Sequence, residues 1–587
     1  MSVELPVAGL APEARYGSDA IVELLQAMDV RYLPLNPGSS FRGLHDSLVN
    51  YGGNADPQVL LCLHEEIAVA VAHGYAKATG GLGVAAVHDL VGLMHASMAV
   101  YDAFCDRTPV LVLGGSGPMD PAQRRPVDWI HSATTQAQLV RDYVVWDAEP
   151  ATPAAAILDV VRARQRALSA PRGPAYVSLD AGAQEAELEA RLALPELALH
   201  APAPPMGADP VAVRRAAELL STAQRPVVVA GRVGLDPAAT APLVELVELL
   251  GAGYRDDRNI VAFPTSHPQN GTGDPALLRE ADVVLAVDVV DLAALLDRPG
   301  RGPRGAAAEV SSPRPAVIDL SHGDLGLRSW SNALAGPVER SVQLLADPLL
   351  GLTQLTAAVR ARMDPRAADS RREEVGRRVC VLRERQSAAV EERWHDKVIS
   401  PARLVAETWR AVRDTEHLLC LRNTRTWPEG VWQFPGAGHY LGHSGGGGVG
   451  YGPGALVGGA LAARDRGQLG VGIIGDGDLL MAAGALWTAV HYRIPMLVVI
   501  NDNSSFYNDE PHQAEIARHR GRPAENSWIG MRMTDPPINL AGLARSYGCW
   551  STDPVSDPTR LGAALDDAVA HALAGAVSVV QVRTAPR

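Results

Sequence analysis

Between residues 471 and 508 the alternation of apolar and polar positions changes period twice. Residues 471–474, Val-Gly-Ile-Ile, form a short apolar run that stops at Gly475, Asp476, Gly477 and Asp478. Leu479, Leu480, Ala483, Leu486, Trp487 and Val490 then recur at helical spacing through residue 492. Residues 496–500, Met-Leu-Val-Val-Ile, form a second apolar run that ends at the polar stretch 501–505. Strand, helix and strand in that order predict a βαβ unit, which forces a parallel pair. Its polar residues fall at the carboxyl ends of both strands, where open parallel sheets bind ligands at a switch in strand order.

The same alternation runs through the rest of the chain. A helical pattern over 19–28 leads to strand-like runs at 32–35, 59–63, 84–87 and 110–113, with a small-residue helix over 67–79 between the second and third. Residues 186–205 are acidic and then proline-rich, a linker by composition. Further apolar runs at 226–230, 281–287 and 316–320 mark a second α/β pattern, and 366–400 read as a charged helical connection. The expected fold class is α/β: three consecutive doubly wound parallel-sheet domains spanning 1–185, 206–365 and 401–587.

Composition narrows the partners. The 587 residues are 47% hydrophobic and 20% charged, and the formal net charge of −13 comes without a basic stripe, so nucleic acid is not an expected partner. Cys62, Cys105, Cys380, Cys420 and Cys549 are scattered, without a Cys-x-x-Cys pair, as expected for reduced thiols in a cytoplasmic protein. The start of the chain lacks the pattern of a signal peptide, and no window approaches 18 uninterrupted apolar residues, so no membrane span is expected.

The strand ends carry specific chemistry. Asp476 offers a hard carboxylate, and Asn503, 27 positions later, offers a side-chain carbonyl. Such oxygen ligands suit Mg²⁺, which completes its shell with water and phosphate. Gly475 and Gly477 let backbone N–H groups approach a phosphate at the positive end of the following helix. Taken singly, each end also reads as an ordinary acidic or Asx turn; together they point to a diphosphate held through Mg²⁺.

This stretch resembles the Gly-Asp-Gly … Asn motif of the thiamine diphosphate-dependent enzymes, the superfamily of acetolactate synthase, benzoylformate decarboxylase and pyruvate decarboxylase. Residues 485–489 and 492–495 are most similar to benzoylformate decarboxylase. The resemblance covers nearly the whole chain. It implies the thiamine diphosphate-binding fold, with a pyrimidine-binding domain, a Rossmann-like central domain and a diphosphate-binding domain in that order. It also implies that Gly475, Asp476, Gly477, Asp478, Asn503 and Ser505 hold the cofactor. Asp476, Asn503 and the main-chain oxygen of Ser505 become the Mg²⁺ ligands, while Asp502 stands where the family usually has Asn.

Thiamine diphosphate also needs a carboxyl group at its aminopyrimidine ring. His64-Glu65-Glu66-Ile-Ala68 followed by Gly74-Tyr75-Ala-Lys77 resembles the family segment that supplies it, which assigns the activating role to Glu65. Glu66 reads as a first-turn acid complementing the helix dipole. In the family this Glu serves a neighbouring subunit, so a homodimer or homotetramer with shared sites is implied. The glycine-rich turn 443–454 resembles the family's Gly-Gly-Leu-Gly-Phe turn, and the resemblance implies that Gly447 meets the aminopyrimidine and that Val449 takes the place of the bulky residue that bends the cofactor. On the substrate side, Ser39 and His88 match benzoylformate decarboxylase by register. Leu90-Val91-Gly92 replaces the Gly-Pro-Gly of acetolactate synthases, and Asp89 and His95 are unusual at their positions. The second histidine of benzoylformate decarboxylase would fall near Leu295, where there is none; His512 is the candidate replacement. Gly231-Arg-Val-Gly234 is no dinucleotide fingerprint, so neither NAD nor FAD is assigned, although related central domains bind FAD, ADP or nothing.

The resemblance implies decarboxylation of a 2-oxo acid, with release of an aldehyde or ligation to a 2-hydroxyketone. An acetolactate synthase-like carboligase, or a C–C hydrolase or lyase acting on a diketone or on a 2-hydroxyacyl- or oxalyl-CoA, uses the same apparatus. A dehydrogenase would need the missing fingerprint. A catalytically dead homologue would have lost Glu65, Asp476 or Asn503, and all three are present.

Overall fold

The computed structural model describes residues 4–257, 260–297, 314–323, 338–422, 427–442 and 445–585. His443 and Ser444, which open the glycine-rich turn, lie outside them. Three parallel sheets account for all the strands among the described residues. The first contains β1 (Tyr32–Leu35), β2 (Gln58–Leu61), β3 (Gly83–Val87), β4 (Val110–Ser116), β5 (Trp146–Ala148) and β6 (Ala175–Asp180), in the order β2-β1-β3-β4-β6-β5. The second contains β7 (Pro226–Ala230), β8 (Gly253–Asp256), β9 (Val283–Val287), β10 (Ala316–Ser321) and β11 (Val342–Leu345), in the order β11-β10-β9-β7-β8. The third contains β12 (His417–Leu421), β13 (Leu469–Gly475), β14 (Met496–Asp502), β15 (Trp550–Ser551) and β16 (Val577–Arg583), in the order β12-β13-β14-β16-β15. The fold is therefore three parallel-sheet α/β domains.

The strands are apolar on both faces because both faces are covered. In β4, Leu111 and Leu113 enter one core cluster while Val110 and Val112 enter another. In β7, Val228 and Ala230 divide from Val227 and Val229 in the same way. A period of two distributes a continuous apolar run between two layers.

The chain forms two compact units, Met1–Ala203 with Asp396–Trp427 and Ser444–Arg587, and Pro204–His395 with Pro428–His443. The first and third sheets thus share a unit. The helix Glu65–Thr79 from one domain crosses the helix Tyr451–Asp465 from the other at very short range. A Cβ built on Gly74 would lie 2.2 Å from the Ala455 carbonyl oxygen, and one on Gly458 would lie 2.0 Å from that of Val71. Only glycine lets the two backbones meet this closely.

In the second unit the helix Pro365–Glu392 is the expected charged connection. Gly231 has a packing reason, since a Cβ there would lie 2.3 Å from the Asp288 carbonyl oxygen. Leu295 is buried in this unit's core.

Two expectations change. The helix expected over 479–492 is two helices, Asp476–Met481 and Gly484–His491. Ala482 leaves helical geometry at φ −138°, and Gly484 comes against Leu63 and Ile67, where a Cβ would sit 3.2 and 3.6 Å away. The break re-aims the second helix onto the first domain. Strand order also does not reverse between β13 and β14; in the first sheet it reverses between β1 and β3. No helix among the described residues is long and apolar enough to cross a membrane.

One ion pair is buried under the helix crossing. Lys77 Nζ lies 2.7 Å from Asp106 Oδ2, with His73 Nε2 3.3 Å from the same oxygen. Burial alone raises the Asp106 pKa, but Lys77 and His73 outweigh it and hold the carboxyl well below the usual range. Lys77→Met leaves that carboxylate without its ammonium partner and is expected to cost about 3 kcal/mol in urea unfolding at neutral pH. A depressed carboxyl stabilises the fold above the unfolded carboxylate range, about pH 4, and the contribution fades as pH falls. The gap between wild type and variant should therefore narrow on acidification; a pH-independent gap would mean that Lys77 acts through packing. Gly458→Ala forces a methyl group onto backbone and is expected to lower stability by about 1–3 kcal/mol in the same assay.

Candidate active site

Three groups of side chains collect at the carboxyl ends of the strands in the first unit. The first lies on β13 and β14, which pair in register through Gly475 and Asn501. Asp476 follows immediately and is 4% exposed. Its Oδ1 accepts the Gly477 N–H at 2.8 Å, while its Oδ2 is buried with no hydrogen-bond partner. Burial, with Asp502 alongside, pushes this carboxyl up to about 7. Asn503 Oδ1 accepts the Ser505 N–H at 3.0 Å, in a turn opened by Ser504 at φ +54°. A Cβ built on Gly475 meets nothing within 4 Å, so a phosphate has room to approach the backbone there. A buried carboxylate oxygen without a donor, beside an amide carbonyl and an open glycine, fits a divalent cation carrying a diphosphate.

Asp502, the departure from the family pattern, is neutralised. Arg583 Nη1 lies 2.8 Å from its Oδ2, and Gln581 and the Ser504 N–H also donate to it. Ser505 is buried; its hydroxyl bonds Glu510, which Arg532 grips at 3.0 and 2.9 Å, so the segment at 531–533 closes back over the turn.

The second group surrounds the glycine-rich turn. Gly447, at φ +69°, and Gly450, at φ +102°, take left-handed conformations that favour glycine. Val449 between them is 46% exposed. The Gly450 N–H donates to Asp478 Oδ1 at 2.6 Å, and the Gly452 N–H donates to the same carboxylate. Asp478 therefore caps the helix that follows the turn, and burial raises it to about 6. Glu66 stands nearby; burial and then Asp478 raise its pKa. From the other domain, Asp102 accepts the Gly446 N–H at 3.0 Å.

The third group lies where strand order reverses. β1 ends before Ser39, β2 before Glu65, and β3 before His88. Glu65 is 6% exposed, and its Oε2 lies 3.0 Å from His95 Nδ1. His95 stacks on His64, with ring centroids 4.7 Å apart. Gly92 separates Glu65 from His88: a Cβ there would lie 2.9 Å from Glu65 Oε1 and 3.3 Å from His88 Cβ. His88 Nδ1 is 2.8 Å from Ser40 Oγ, which also accepts the Asp89 N–H at 3.3 Å. Burial and then His131 lower the His88 pKa. Asp89 is 3% exposed, and burial pushes it up to about 7. Ser39 is exposed and accepts from Arg125 at 3.4 Å.

The structure thus places Asp476 directly after β13, with Asn503 and Ser505 directly after its neighbour β14, and brings His88 and Glu65 together around Gly92, while Ser39 lies past the end of β1 and meets Arg125 instead. His512 joins neither group. It lies on the helix Asp509–His519 with its side chain 59% exposed, 4.0 Å from Asp509. Sequence reasoning passed over Ser40, Arg125, Asp128 and His131, which carry no motif, and noted His95 only as unusual.

Residues 15–139 match the family described as "Thiamine pyrophosphate enzyme, N-terminal TPP binding domain", and residues 423–582 match its C-terminal TPP binding domain. The chain belongs to the thiamine diphosphate-dependent enzymes. The probable acetolactate synthase large subunit of Methanocaldococcus jannaschii is 23% identical to this enzyme, over 94% of the chain and 90% of the relative. The benzoylformate decarboxylase of Pseudomonas aeruginosa is 26% identical over 88% of the chain and 90% of the relative. The solved benzoylformate decarboxylase of Polynucleobacter necessarius shares the fold, with TM-score 0.77, 18% identity, and coverage of 98% of this chain and 99% of that one.

Asp478→Ala removes the acceptor for two backbone N–H groups of the turn. The enzyme is expected to lose about 1–3 kcal/mol in thermal unfolding, with faster hydrogen exchange at Gly450 and Gly452. Unchanged exchange there would show that the cap is dispensable.

Proposed function

We propose that this enzyme binds thiamine diphosphate through Mg²⁺ and decarboxylates a 2-oxo acid, releasing an aldehyde or joining the product to a second carbonyl compound. Asp476 and Asn503 would hold the metal through their side chains and Ser505 through its main-chain oxygen. The bound cofactor supplies the electron sink that lets CO₂ leave. Gly475, Gly477 and Asp478 would hold the diphosphate, and Gly447 and Val449 would contact the rest of the cofactor. Glu65 presents its carboxyl to the aminopyrimidine, and in a homodimer or homotetramer it would do so for the partner's cofactor. Ser39 binds the substrate carboxylate, and His88 holds or delivers a proton at Nε2.

The observation that carries this reading is the placement of His88. Its Nδ1 is engaged by Ser40, it lies across Gly92 from buried Glu65, and it sits where the first sheet reverses its strand order. A titratable imidazole near neutral pH is suited to finishing a decarboxylation by proton transfer. Acetolactate synthase-like ligation is the second reading, supported by the relative from Methanocaldococcus jannaschii.

Cofactor-free protein is expected to gain thermal stability when thiamine diphosphate and Mg²⁺ are both present, by about 2.7 kcal/mol at a hundredfold excess over Kd. Asp476→Ala should abolish the gain; no shift in the wild type sinks the assignment. Glu65→Gln should still bind cofactor but lose proton exchange at the thiazolium carbon. Exchange at the wild-type rate would remove Glu65 from the activating role. A panel of pyruvate, benzoylformate, phenylpyruvate and branched 2-oxo acids, with and without acceptor aldehydes, tests the reaction class through CO₂ and product. CO₂ from none of them would refute decarboxylation and leave the hydrolase and lyase readings.

A further inference from the structure

A second set of metal-ligating side chains stands apart from the strand ends that carry Asp476 and Asn503. His88, Asp89 and His131 each offer one ligand atom, and the three atoms all lie within 4.8 Å of one another. His88 follows β3 and Asp89 starts the helix Asp89–Cys105. His131 ends the short helix Asp128–His131 in the segment after β4. Asp128 is buried and pins that segment by accepting from Arg125 at its backbone N–H (2.8 Å), Nε (3.1 Å) and Nη2 (2.8 Å). So held, the His131 ring meets the His88 ring edge-to-face with centroids 5.1 Å apart. Asp89 is 3% exposed, and its Oδ1 is buried without a hydrogen-bond partner, 3.6 Å from His88 Nε2. A buried carboxylate oxygen without a donor is costly unless a cation meets it.

The distances suit a small tetrahedral ion. Ligand atoms bound at about 2.0–2.2 Å around zinc stand roughly 3.3 Å apart, close to the 3.6 Å between His88 Nε2 and Asp89 Oδ1. Two imidazoles on such an ion hold their ring centroids roughly 5 Å apart, which is the separation of His88 and His131. Ser40 Oγ lies 2.8 Å from His88 Nδ1 and accepts the Asp89 N–H at 3.3 Å. With Nδ1–H donated to that oxygen, Nε2 is left free to ligate, the arrangement that orients most metal-bound histidines. The cluster of His64, Glu65 and His95 offers no such opening. His64 Nδ1 accepts the Glu66 N–H at 3.2 Å, and Glu65 Oε2 lies 3.0 Å from His95 Nδ1.

We propose that His88, Asp89 and His131 form a zinc-binding site with three protein ligands, separate from the Mg²⁺ site, and that zinc bound there blocks the enzyme. The zinc bond forms at the lone pair of His88 Nε2, so the imidazole can no longer hold a proton at that atom. The blocking role rests on the proton transfer proposed above for His88; the binding of zinc does not. Imidazole ligands favour zinc, whereas carboxylate, carbonyl and phosphate oxygens suit Mg²⁺, so the two metals sort between the two sites.

The test uses the full-length protein, first without cofactor and in excess Mg²⁺. Co²⁺ takes the coordination of zinc and absorbs visible light strongly only in a four-coordinate site. One equivalent per chain is expected to give that band, and Zn²⁺ to displace it. His131→Ala and Asp89→Asn, each checked by circular dichroism, should weaken zinc binding about tenfold or more, while His95→Asn and Asp476→Ala should leave it unchanged. No band in the wild type, a band that survives both ligand variants, or a band lost only in His95→Asn or Asp476→Ala overturns the site. With thiamine diphosphate, Mg²⁺ and a 2-oxo acid that yields CO₂, saturating zinc should lower the kcat of the wild type by about a hundredfold. The same zinc concentration should leave His131→Ala, which turns over without zinc, unaffected. Equal inhibition of both proteins, or inhibition of neither, overturns the blocking role. If the wild type turns over no 2-oxo acid, the proposed function fails instead, while the Co²⁺ band still decides the site.

Discussion

The candidate active site depends on one close contact, the crossing of the helices Glu65–Thr79 and Tyr451–Asp465. Gly74 and Gly458 let backbone meet backbone, with no room for a methyl group on either. Because the approach is so close, it fixes the two domains of the first unit in one register. The first of these helices starts at Glu65, and the second starts directly after the turn that carries Gly447 and Val449. Locking the helices therefore locks the helix that begins at Glu65 against the glycine turn. Asp102 on the Gly446 N–H and Glu66 beside Gly450 are secondary contacts that this distance allows.

Charge compensation separates acids held by a cation from acids that keep an unsatisfied oxygen. Asp502 has Arg583, Glu510 has Arg532, Asp106 has Lys77 and Asp128 has Arg125. These pairs hold turns and helices in place. Asp476 and Asp89 each keep a buried carboxylate oxygen without a donor, and both are raised to about 7. Leaving a buried carboxylate unsatisfied is costly. That both cases fall at strand ends, beside the proposed metal ligands and beside His88, is the pattern expected where an enzyme meets its cofactor and substrate.

The Asp476–Asn503 pair and the His88–Ser40 pair sit on different sheets, yet both stand at carboxyl ends of parallel strands. The first sheet uses its reversal of strand order; the third uses adjacent strands and an open glycine turn. In the proposed function the Asp476–Asn503 pair would anchor the cofactor and the His88–Ser40 pair would handle the substrate. Departures from the family pattern occur at both, Asp502 beside the former and Asp89 and His95 at the latter.

The sequence by itself determined the strand and helix elements and pointed to the proposed anchor. Apolar runs at period two, helical spacing between them and Gly-Asp-Gly at a strand end are local signals, because side-chain period and turn chemistry act over a few residues. Even so, the helix expected after Asp478 breaks at Ala482, where packing against Leu63 and Ile67 overrides local preference. Only the tertiary structure decided what stands around His88. β1 lies between β2 and β3, so Ser40 and His88, 48 positions apart, become neighbours, and a pinned segment brings His131 to the same place. It also placed His512 on an exposed helix face and gave Asp502 its arginine from β16. Those contacts follow from strand order and helix packing, which join residues far apart in sequence and leave no periodic trace along the chain.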